Sequence, residues 1–79
     1  MTPAQLRMAR AAVRLGVREL AELAGVTPYT VSRFETEQGG IRLDTAEKLK
    51  AALAKLGVRF TDERGRSCVC YEPPAATEN

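Results

Sequence analysis

Residues 23–28, Leu-Ala-Gly-Val-Thr-Pro, end one helix and begin another within a few residues. Gly25 is a helix terminator, because glycine enters the left-handed conformation that closes a last turn. Thr27 is a helix N-cap, and Pro28 stands at the first helical position, where its missing N–H costs nothing. Helices joined by so short a turn must cross at a large angle. The helix after the turn is expected to reach about Glu37, yet it has only Val31 and Phe34 for a core. Tyr29, Ser32 and Arg33 fall on its other side. A helix with such an open face is built to touch something.

The rest of the chain supplies the scaffold. Thr2-Pro3-Ala4-Gln5 predicts a capping box and a first helix running to about Leu15, with Leu6, Ala9 and Val13 inside and Gly16 as its stop. A second helix is expected over Val17 to Ala24, burying Val17, Leu20, Ala21 and Ala24. Asp44-Thr45-Ala46-Glu47 predicts another capping box, opening a fourth helix to about Leu56 with Ala46, Leu49, Leu53 and Leu56 inside. After Gly57 the apolar period falls to two. Val58 and Phe60 alternate with Arg59 and Thr61, Asp62 to Gly65 carry turn chemistry, and Cys68 and Cys70 alternate with Val69 and Tyr71. The expected fold is mainly α: a four-helix domain over residues 1–57, a β-hairpin over 58–72 and a flexible tail over 73–79.

Several function classes are disfavoured. No apolar run is long enough for a membrane span and no signal-peptide core is evident, so a cytoplasmic location with no membrane partner is expected. With no histidine, no nucleophile–base arrangement and no phosphate-binding glycine loop, an enzyme is not expected. Two cysteines alone fall short of a metal site, and adjacent positions on one strand face suit a mutual disulfide poorly. No metal and no cofactor are expected. The net charge is +2, but residues 1–57 hold nine Lys/Arg against six Asp/Glu and the remainder three against four. The basic excess lies in the helical part, as phosphate contact would require.

The spacing of Ala21, Gly25 and Val31 fits a helix-turn-helix: a small residue where the helices approach, a glycine in the turn, and a valine returning to the core. The stretch LGVRELAELAGVTPYTVSRFE, residues 15–35, resembles the XRE family of Cro- and cI-like repressors over about residues 3–57. The resemblance implies that the third helix is the recognition helix in the DNA major groove. It places Pro28, Tyr29, Thr30 and Arg33 against base edges or a thymine methyl, with Thr27 and Ser32 nearby. It also implies phosphate contacts from the start of the second helix, at Val17 and Arg18, and from the loop after the third, Thr36 to Arg42. Many relatives carry a polar residue where Val17 stands, so only its backbone N–H can serve. The leading recognition positions hold no Asn or Gln.

Side-chain chemistry leads the same way. Arg33 can bond guanine through two N–H groups, Thr30 can bond a base or touch a methyl, and Tyr29 can do either or reach phosphate. The bland alternatives are a tyrosine ring lying on its own helix and an Arg33 paired with Glu37 at i+4. Arg10 interrupts the first helix's apolar stripe and Glu35 the third's. Two opposite charges on two inner faces are expected to meet, and the family resemblance implies the same pair; the alternative is two unrelated snorkelling side chains.

A lone hairpin is marginal and leaves strand edges open. A homodimer is therefore expected, joined through Leu56, Val58, Phe60, Cys68, Val69, Cys70 and Tyr71, against the alternative of a hairpin folded on its own helices. The function expected is a dimeric, sequence-specific regulator on double-stranded DNA, a repressor or autoregulator at an inverted repeat. The competing class is an antitoxin-type interaction module whose main partner is a toxin.

Overall fold

The computed structural model describes residues 1–74. Helices α1 (Pro3–Val13), α2 (Val17–Ala24), α3 (Pro28–Glu35) and α4 (Leu43–Lys55) precede strands β1 (Val58–Glu63) and β2 (Arg66–Tyr71). The strands form one antiparallel hairpin, so the chain is helical to Lys55 and less purely α than expected. Of the tail expected over 73–79, residues 75–79 lie outside the described residues.

Local chemistry accounts for the helix ends, including those the sequence misplaces. Thr2 Oγ1 accepts the Gln5 N–H at 3.1 Å while Gln5 Oε1 accepts the Thr2 N–H at 2.8 Å, a reciprocal cap on α1. The far end of α1 comes two residues before Leu15. Arg14 turns left-handed with φ 59°, and the Leu15 N–H bonds back to the Arg10 carbonyl at 3.1 Å. Gly16 is thus the N-cap of α2. Gly25 closes α2 with φ 74°, and the Val26 N–H reaches the Ala21 carbonyl at 2.9 Å. Thr27 Oγ1 accepts the Thr30 N–H and caps α3, which ends at Glu35, short of the expected Glu37. The capping box expected at Asp44 does not form. α4 starts two residues earlier with Arg42 at the N-cap, and Asp44 accepts the Thr45 N–H instead.

Leu6, Ala9, Leu20, Ala21, Val31, Phe34, Leu49 and Leu53 bring all four helices into one core, and Val58 of β1 joins them. Each large side chain fully buried there contributes roughly 1.5–3 kcal/mol. The position of Val58 corrects the expected dimer surface. It is 1% exposed within its own chain and is not free to face a second copy. Phe60 and Val69 are likewise half-buried against the same core. The register pairs Val58 with Tyr71, Phe60 with Val69 and Arg59 with Cys70, so Val69 and Tyr71 share the inner face. Cys68 and Cys70 turn away from it, both as free thiols, Cys70 exposed.

One anchor escapes any periodicity argument. Gln5 is 1% exposed, and its amide donates to the carbonyls of Thr61 and Cys68 at 3.1 and 3.0 Å. The residue that caps α1 therefore also ties the hairpin to it.

Candidate nucleic-acid interface

The geometry of α3 follows from its two ends. Thr27 and Pro28 set the first turn, and Val31, Phe34 and Glu35 are buried. The remaining positions project outward: Tyr29 is 73% exposed, and Pro28, Ser32 and Arg33 are exposed, with Thr30 half-buried. At that exposure the Tyr29 ring covers little of its own helix. Thr27 Oγ1 and Thr30 Oγ1 stand 2.9 Å apart, so only one of the two hydroxyl protons can be turned outward while they remain bonded.

Beneath this face lies the pair expected from the two apolar stripes. Arg10 Nε donates to Glu35 Oε2 at 2.8 Å and Arg10 Nη2 to Glu35 Oε1 at 2.7 Å, a two-pronged contact. The third prong, Nη1, donates to the Leu15 carbonyl at 3.1 Å. Hydrogen bonding to the carboxylate raises the guanidinium's pKa above its already high value against the opposing effect of burial, so Arg10 stays charged. One guanidinium thereby joins the end of α1, the turn into α2 and the buried face of α3.

Arg7 is a contributor that the sequence reading missed. Its Nη1 donates to the Glu35 carbonyl, and its Nη2 lies 3.8 Å from Glu37 Oε2. Glu37 is thus drawn toward α1, and the alternative of an Arg33–Glu37 pair is not realised. Among the described residues no carboxylate lies within 4.0 Å of Arg33 or of Arg18.

The phosphate candidates divide. Arg18 is exposed at the start of α2, and no side chain caps that helix, so the backbone N–H of Val17 stands beside it. The Glu19 carboxylate folds back toward Gly16, however, where an added β-carbon would stand 2.5 Å from Oε1. It would have to swing aside for a phosphate. Thr36 donates its hydroxyl to the Ser32 carbonyl at 2.8 Å, which leaves it no free donor in this conformation. Arg42 Nε lies 3.3 Å from Asp44 Oδ1 in a pair with 85% and 60% exposed side chains, a contact weak enough for a phosphate to replace.

Leu23, Ala24, Ala51, Ala52 and Leu56 line an apolar groove of about 390 Å³ between α2 and α4, with Lys48 and Lys55 also in its lining. Leu23 is 60% exposed. The reading of α2 from its periodicity did not single it out. No helix among the described residues is long and apolar enough to cross a membrane.

No curated protein matches the chain. A family described as "Helix-turn-helix domain" matches residues 4–66, which takes in the four helices apart from Pro3, with β1 and the first residue of β2. With a two-helix unit built on Ala21, Gly25 and Val31 and a match over most of its length, the chain belongs to the helix-turn-helix domain family.

Proposed function

We propose that this protein is a sequence-specific DNA-binding regulator of transcription that acts as a homodimer, a repressor or autoregulator, on an inverted repeat. The carrying observation is the outer face of α3. Tyr29, Thr30 and Arg33 project from a helix whose other side is locked into the core, and among the described residues no carboxylate pairs with Arg33. Helix-turn-helix modules lay such a helix in the major groove, with its N-terminal side chains at the base edges. In this reading Arg33 donates to guanine, Thr30 and Tyr29 read or position the neighbouring step, and Arg18 and Arg42 grip phosphate. A single small module touches few bases, which favours two copies on one site. The apolar groove with Leu23 and Leu56 is the surface assigned to the second copy, in place of the core-bound Val58.

The test is selection from a randomised duplex pool, followed by binding to the selected duplex and to its single-base variants at several salt concentrations. Arg33→Ala should cost roughly 1–3 kcal/mol per half-site and relax preference at one base position. Arg42→Ala should weaken binding to all duplexes alike and reduce the salt slope by about one per half-site. Light scattering on the same sample should show a dimer. A pool with no enriched sequence overturns the reading, and a monomer at tens of micromolar overturns its dimeric form.

A further inference from the structure

We infer that Gly39 is the positioning residue for Arg33: its missing side chain leaves the berth on which the guanidinium lies. The proposal rests on the reading that Arg33 contacts a base. A β-carbon added at Gly39 would stand 2.6 Å from Arg33 Cζ, 2.6 Å from Nη2 and 3.0 Å from Nη1. Three guanidinium atoms at nearly equal distance mean that the flat face of the group rests on the glycine. The N–H groups lie in the plane of that face, so packing on the glycine takes none of their hydrogen-bonding directions and leaves the fork available for the edge-on contact to guanine. Gly39 itself is half-buried. Glu37, the carboxylate four residues along from Arg33, is turned toward Arg7.

The reason for glycine here is room, and not backbone conformation. Gly39 is not among the positive-φ glycines, so alanine can adopt its backbone without strain. The atoms an alanine methyl would strike are the far end of a flexible side chain, which can move aside at little cost to the fold. Gly39→Ala should therefore displace Arg33 while leaving the domain folded. An arginine that must be ordered on contact, in place of one already held, binds more weakly by about 3- to 10-fold per half-site.

The experiment is a double-mutant cycle on the full chain with wild type, Gly39→Ala, Arg33→Ala and the double variant. Each is titrated on the duplex enriched by wild type from a randomised pool and on its single-base variants. Thermal melting and the Arg33 Nε–Hε resonance of the DNA-free protein are followed in parallel. Gly39→Ala should melt within a degree or two of wild type, shift that resonance, lose the stated affinity and flatten preference at the one base pair that Arg33→Ala also flattens. It should add nothing in the Arg33→Ala background. Full affinity for Gly39→Ala, or a loss that persists without Arg33, overturns the berth and leaves Arg33 as a reader. Unchanged binding and preference for Arg33→Ala overturns both.

Discussion

Arg10 shows how one side chain can hold α3 in place from beneath, without lying on its exposed face. Its three donors reach two oxygens of Glu35 and the Leu15 carbonyl, and Glu35 is 4% exposed. Arg10→Ala would leave a buried carboxylate unpaired and should cost about 3–5 kcal/mol. For a domain this small that is a large share of its total stability. Replacing Arg10 by Met and Glu35 by Leu together should cost far less, since both charges then leave the interior at once. Thermal melting separates the cases: an Arg10→Ala variant melting within a degree or two of wild type would mean that the pair carries no structural burden. The pair was legible in the sequence because charged residues stood at i+4 from Leu6 and from Val31. Arg7 was not legible, because its main partner is a backbone carbonyl, and carbonyls leave no trace in a residue pattern.

At the scale of elements, the joints are more restrictive than the helices. Gly57 links α4 to β1 with φ 94°, and its carbonyl accepts the Glu72 N–H at 2.8 Å. A β-carbon there would stand 2.0 Å from the Glu72 carbonyl oxygen, which is backbone and cannot swing aside. Gly57→Ala should destabilise by about 2–4 kcal/mol, from left-handed strain together with a displaced strand end. Urea denaturation measures it, and a change under 1 kcal/mol would contradict the close approach. The end of α1 illustrates the opposite case. Glycine is the usual left-handed residue, so Gly16 was expected to stop the helix, but Arg14 takes that conformation at φ 59°. The start of α4 misled for a related reason. The Asp44 carboxylate bonds the adjacent N–H and Arg42, so the capping-box spelling is present without its geometry.

Considered as one molecule, the helices and hairpin are not separable layers. Val58 sits in the helical core, Phe60 and Val69 cover its edge, and the Gln5 amide joins α1 to the carbonyls of both strands. Truncation after Gly57 should remove at least about 3–5 kcal/mol, by the loss of these apolar contacts and the exposure of what they covered. Helical circular dichroism of fragment 1–57 should melt at least ~12 °C below the full chain, at 4–8 °C per kcal/mol for a domain of this size. A fragment as stable as the whole would show that the hairpin is an appendage. The sequence argument had assigned Val58 and Phe60 to a second copy, because alternation identifies an apolar strand face without saying what covers it.

What the sequence determined alone is local. The short turn between Ala24 and Pro28, the caps at Thr2 and Thr27, Gly25 with its left-handed backbone and the outward set of Tyr29, Ser32 and Arg33 all follow from chemistry within one or two turns of chain. Such effects act between near neighbours and leave a pattern in the residues. What only the tertiary structure decided is the choice among partners distant in sequence. Val58 goes to its own core, Gln5 to two strand carbonyls, Glu37 to Arg7, and the Arg33 guanidinium to the space above Gly39. Each of these outcomes is a competition between contacts of similar strength, and folding settles it by which groups the packed helices bring within reach.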